Sequence, residues 1–110
     1  MDGFSILLVI SGLFLAKAYG VAVPPSSFFS MGIMIILISL GCPGIPGVIF
    51  VCLAVVLQDL GVPIESMGMI MGVMPIIDMT CTVTNTTGDV AATLIIAKSE
   101  GLVDVKKFES

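Results

Sequence analysis

Charge is scarce in this 110-residue sequence, which holds eight Asp or Glu and four Lys, with no Arg and no His. It is 57% hydrophobic and 11% charged, with a mean hydropathy of +1.22. A water-soluble chain of this size needs a polar surface, so these values exclude an ordinary soluble domain and make the bilayer the expected solvent. What charge there is sits at Asp2, Lys17, Asp59, Glu65, Asp78, Asp89 and in the tail from Lys98 onward. In the tail, Lys98, Lys106 and Lys107 balance Glu100, Asp104 and Glu109, so the formal charge of −4 is that of five upstream acids less Lys17. A basic surface and a nucleic-acid partner are thereby excluded. Three cysteines, Cys42, Cys52 and Cys81, are an odd number in or beside apolar segments, without the pairing pattern of a secreted disulfide framework or a CxxC metal knuckle. A signal peptide is not expected in these residues either, because Met1-Asp2-Gly3 leads straight into apolar sequence without a basic region. That abrupt start suggests that Met1 is an internal methionine and the chain the end of something longer.

Residues 4–23 form an apolar stretch long enough, at about 1.5 Å per residue, to cross a hydrocarbon core about 30 Å thick. Lys17 near its end is read as snorkelling toward the headgroups. Pro24-Pro25-Ser26-Ser27 is expected to stop this helix and cap the next. The apolar runs 26–40 and 47–60 reach only about 22 Å each as helix, short of a full crossing. Between them, Gly41-Cys42-Pro43-Gly44-Ile45-Pro46-Gly47 rules out a continuous helix. A re-entrant hairpin with its tip inside the protein satisfies this pattern, and such loops point to binding sites in transporters. The alternative is a turn outside the membrane between two short spans, but Leu40 and Val48 flank the tip with no charge to fix it in water. Gly61-Val62-Pro63 closes this unit, and Glu65 opens a last apolar run to Ala97 that is expected to be broken or kinked at Pro75.

That run carries Asp78, Thr82, Asn85 and Asp89 at helical spacing, which places all four on one face. An ionised aspartate in a bilayer costs several kcal/mol unless it meets a cation, donors or water. Lys17 cannot neutralise Asp2, Asp78 and Asp89 together, so bound cations or a substrate ammonium are the natural complement. A polar seam packed against another helix is the structural alternative. The Asn85-Thr86-Thr87 sequon lies within a membrane segment and is discarded. The eight methionines are read as packing rather than copper ligands. Asp78 and Asp89, about 16 Å apart along a helix, cannot share a proton as a protease dyad. Nothing else resembles catalytic machinery, so an enzyme is not expected.

The run from Asp78 through Met79, Thr82, Asn85 and Thr87-Gly88-Asp89 resembles the D-M-x-x-T-x-x-N-x-T-G-D signature of the dicarboxylate/amino acid:cation symporter family, which includes the glutamate transporters. Ser39-Leu40-Gly41-Cys42-Pro43-Gly44-Ile45-Pro46-Gly47 is similar to that family's second hairpin tip. Met1-Asp2-Gly3 looks like part of its N-M-D-G-T motif, with Phe4 in place of the threonine. The resemblance runs to about Gly101. It implies an all-α membrane protein with transmembrane helices and a helical re-entrant hairpin, part of a glutamate-transporter-like transport domain. The expected units are a transmembrane half-helix at 1–23, a re-entrant hairpin at 26–60 with its tip at 41–47, a substrate-binding transmembrane helix at 64–98 and a polar tail at 99–110.

By the same resemblance, Asp78 would pair with a substrate ammonium, Asn85 with its α-carboxylate and Thr82 would orient it, while the backbone at Gly44 and Ile45 closes over it. Asp89 and the backbone of Asn85 would serve one sodium site, Asp2 another, and carbonyls of Ser39, Leu40 and Cys42 a third. Acidic-substrate members resembling this chain carry arginine where Cys81 stands, and a cysteine cannot make a bidentate pair with a second carboxylate. The expected substrate is therefore a small neutral amino acid, with a dicarboxylate as the alternative and Cys81 as the residue that decides. Thr86, where valine is common, and Met74, where an acid often stands, leave sodium and proton both open as the coupling ion. No cofactor beyond such a cation is expected. The expected setting is the cell membrane, with a cytoplasmic tail and a homotrimeric full-length carrier. The alternatives are a truncated, non-transporting product and a small structural or regulatory membrane subunit.

Overall fold

The computed structural model describes residues 2–104 and Lys107. Met1 of the first motif, and Lys106 and Glu109 of the tail, lie outside the described residues. Among the described residues the elements are four α-helices and one 3₁₀ turn: α1 (Asp2–Ala18), α2 (Pro25–Gly41), α3 (Val48–Asp59), a 3₁₀ helix (Ile64–Met69) and α4 (Met74–Ser99).

Three helices end by one device. Gly20, Gly61 and Gly101 hold φ of 69°, 71° and 70°, a left-handed conformation that a side chain would strain. After each glycine the next amide reaches back to close the last turn: Val21 to the Ala16 carbonyl at 2.8 Å, Val62 to Leu57 at 2.8 Å and Leu102 to Ala97 at 2.9 Å. This corrects the expectation for α1, which stops at Gly20 and not at Pro24-Pro25. Nor do Ser26 and Ser27 cap α2. Pro24 precedes it without a side-chain cap, and Pro25 opens it, where a missing N–H costs nothing. The last apolar run is broken rather than kinked at Pro75, which likewise lies at the start of α4, while the glycine- and methionine-rich stretch before it forms the 3₁₀ turn. The run 64–98 is thus two elements.

Helix α1 is the hub, packing against α2, α3 and the first half of α4. It buries Phe4, Leu7, Leu8, Leu15 and Ala16 along one stripe. Opposite them lie Met31 and Ile35 of α2, and Ile49, Leu53, Val56 and Leu57 of α3. Each large side chain contributes about 1.5–3 kcal/mol by leaving water. The exterior is also apolar: Leu40 is 81% exposed, Ile76 69%, Val83 67% and Ile95 69%. Surface of that kind is stable only against lipid or further protein. Among the described residues, no helix is long and apolar enough to cross a membrane. The 17 residues of α1 and of α2 span about 26 Å each, and the 26 of α4 carry a polar face.

Candidate functional site

The polar face of α4 opens on a cleft of about 370 Å³. Asp78, Thr82, Asn85, Thr86 and Asp89 line one side, and Pro43, Gly44, Ile45, Pro46 and Val48 line the other. Phe4 of α1 completes the wall. The helical period of α4 aligns its four polar residues, and the proline-glycine stretch between α2 and α3 brings bare backbone to face them.

How α4 is held explains which ends of its side chains are available. Its first half crosses the start of α1 at near backbone contact. A Cβ at Gly3 would stand 3.1 Å from both the Cα and the carbonyl oxygen of Cys81, so only glycine fits without a shift. The Gly3 N–H donates to Asn85 Oδ1 at 3.0 Å, and the Cys81 thiol donates to the Gly3 carbonyl at 3.3 Å. Asn85 Oδ1 is therefore occupied, which leaves its amide NH₂ to donate to an acceptor such as a carboxylate. The Thr82 hydroxyl donates to the Asp78 carbonyl at 3.0 Å, so toward the cleft its oxygen can accept. Farther along the crossing, the Asp2 carboxylate lies beside Gly88, where a Cβ would come within 2.9 Å of Asp2 Oδ2.

The structure brings together Asp78, Thr82, Asn85, Asp89, Gly44 and Ile45. Cys81 is turned into the α1–α4 contact, and Asp2 stands on the same crossing. Ser39, Leu40 and Cys42 lie at the end of α2, outside the cleft lining. Sequence reasoning did not single out Pro43, Pro46, Val48 or Phe4 as wall residues. Phe4 was visible only as a substitution in the motif, and nothing local marks it as a wall. Among the described residues, no three His, Cys, Asp or Glu side chains gather as a metal cluster. A hard cation here would have to draw on carboxylate, amide and backbone oxygens. With two aspartates and no basic side chain on its lining, the cleft favours a positively charged group.

Residues 1–99 match the sodium:dicarboxylate symporter family. The chain belongs to that family. Its members are membrane transporters, not enzymes, and the described residues form helices and no strands, in keeping with such a family. Among its relatives, the proton/sodium-glutamate symport protein of Geobacillus stearothermophilus is 35% identical over 97% of this chain and 25% of its own length. The proton/glutamate-aspartate symporter of Escherichia coli is 36% identical over 97% of this chain and 24% of its own length. The C4-dicarboxylate transport protein of Deinococcus radiodurans is 33% identical over 98% of this chain and 25% of its own length. The chain thus spans about a quarter of the length of the curated symporters it matches. No solved structure matches it with significance.

Proposed function

We propose that this chain is the C-terminal transport-core segment of a cation-coupled symporter that carries a small neutral amino acid, with sodium as the coupling cargo. The observation that carries this reading is the single cleft in which Asp78, Thr82, Asn85 and Asp89 face the Gly44–Ile45 backbone. In it, the Asp78 carboxylate meets the substrate ammonium, the Thr82 oxygen accepts from that ammonium, and the Asn85 amide donates to the α-carboxylate. Asp89 with backbone oxygen of Asn85 holds one sodium. Asp2 serves a second, and the carbonyls of Ser39 and Leu40 at the end of α2, with that of Cys42 just beyond it, a third. The negative end of the α2 dipole suits a cation there. Residues 26–60 act as a re-entrant hairpin whose tip gates the site, within a membrane carrier that works by alternating access.

A dicarboxylate or acidic amino acid is the second reading, because the relatives named above carry glutamate, aspartate or C4-dicarboxylates. Against it, the cleft lining has no cation to meet a second carboxylate, and Cys81 is engaged with Gly3. Uptake by the full-length carrier in proteoliposomes tests both. Sodium-stimulated uptake of alanine or serine is expected, with losses of about 100-fold or more for Asp78→Ala and Asp89→Ala, in line with removal of a carboxylate that pairs with a bound cationic group. Uptake indifferent to both substitutions would refute the site. Cys81→Arg is expected to shift preference toward aspartate, since a guanidinium supplies the missing bidentate donor. If the wild type prefers aspartate or succinate to alanine, the second reading holds instead.

A further inference from the structure

Two of the three cysteines meet. Cys42 is the first residue beyond α2 and Cys52 lies in the second turn of α3. Their Sγ atoms are 3.7 Å apart across the base of the 43–47 tip. Both are free thiols; Cys42 is half-buried and Cys52 is 8% exposed. The third thiol, Cys81, lies against Gly3 on the other side of the cleft.

We propose that Cys42 and Cys52 form a reversible intramolecular disulfide that cross-links the ends of α2 and α3 and pins the tip between them. A disulfide needs its sulfurs at about 2.0 Å, so the pair must close by about 1.7 Å. Cys42 stands outside the α2 hydrogen-bond ladder, and the glycines at 44 and 47 allow the tip to follow it. The half-buried Cys42 is the sulfur that a small oxidant can reach. With an oxidised low-molecular-weight disulfide, the Cys42 thiolate attacks one sulfur, forms a mixed disulfide and releases one thiol. The Cys52 thiolate then attacks Cys42 Sγ and releases the second thiol. Two protein thiols are oxidised, one external disulfide is reduced to two thiols, and each protein proton leaves on a released thiol. Cys52 needs no access to solvent, because its electrophile is already in contact. The expected effect on transport rests on the gate reading of residues 26–60, whereas the bond itself does not.

The test treats full-length carrier in membranes with oxidised glutathione, followed by acid quenching, denaturation and blocking of free thiols with light N-ethylmaleimide. Reduction and heavy N-ethylmaleimide then mark the thiols that had been oxidised, and peptide mass spectrometry locates them. Cys42 and Cys52 are expected to carry the heavy label together and Cys81 the light one. Before reduction, the peptide spanning both should be two hydrogens lighter than the dithiol. Cys52→Ala is expected to trap a glutathione adduct on Cys42. A light label on both cysteines, or a glutathione adduct on wild-type Cys42 beside an unreacted Cys52, overturns the proposal. Substrate uptake is expected to fall several-fold with the extent of cross-linking and to recover on reduction. A mapped bond with unchanged uptake would refute the gate while leaving the bond in place.

Discussion

Gly3 and Asn85 show how much of the site depends on contacts that no local pattern announces. The spacing of Asp78, Thr82, Asn85 and Asp89 is enough to set them on one face, since helix geometry alone decides it. That the Asn85 oxygen is already taken by a backbone N–H follows only once α1 crosses α4, and a crossing depends on residues 82 positions apart. The same holds for Cys81, which the sequence marks as the position where similar carriers have arginine and the fold turns into a tie to Gly3. Gly3→Ala is expected to destabilise the carrier by about 1–3 kcal/mol, because the added methyl meets backbone atoms that cannot rotate away. A lower thermal midpoint for the detergent-solubilised protein would reveal this, and an unchanged midpoint would show that the crossing is slack. Weaker substrate binding should accompany the loss, since Asn85 would be displaced along with α1.

At the scale of elements, the helices were legible and only some of their ends were. The short runs on either side of the tip correspond to α2 and α3 within about two residues, because a glycine-proline cluster leaves the helix no choice. Gly20 escaped notice as a terminator because one glycine in an apolar run reads as tolerated, and its role depends on a positive φ that the sequence does not print. Pro75 was ambiguous for a related reason. Proline breaks a helix interior but suits a first turn, and only the 3₁₀ geometry of residues 64–69 decides which applies. The tip itself holds one strained position, Gly47 at φ 84°, immediately before α3. Beyond its own chain neighbours nothing lies within 4 Å of where its Cβ would stand, so Gly47→Ala should act through backbone strain alone. A cost of about 1–2 kcal/mol is expected. It should appear as faster hydrogen exchange at the first turn of α3, with the amides of α1 unaffected. Equal acceleration in both helices would mean that the tip is not an independent unit.

For the molecule as a whole, the described residues extend over 57 × 30 × 18 Å, with α1 at the centre and much of α4 uncovered. Composition alone conveyed this apolar exterior. Which part faces lipid and which faces further protein was not legible, because both environments select the same side chains. The chain expressed by itself is expected to sediment with membranes and to be released by detergent but not by high salt or carbonate. Recovery in the soluble fraction would contradict that.

The threonines of α4 have a consequence for how such a segment meets hydrocarbon. The hydroxyls of Thr80, Thr82, Thr84, Thr87 and Thr93 each donate to the carbonyl four residues earlier, at 2.7 to 3.4 Å. A hydropathy scale charges each of them the full cost of dehydrating an alcohol, yet every one of these protons already has its acceptor on the same helix. What the rod then offers its surroundings at those positions, Thr82 in the cleft aside, is largely a methyl group. Lys98 in its last turn apart, the dehydration cost of α4 is concentrated in Asp78, Asn85 and Asp89, so within its length the side chains hardest to bring into lipid are those lining the cleft.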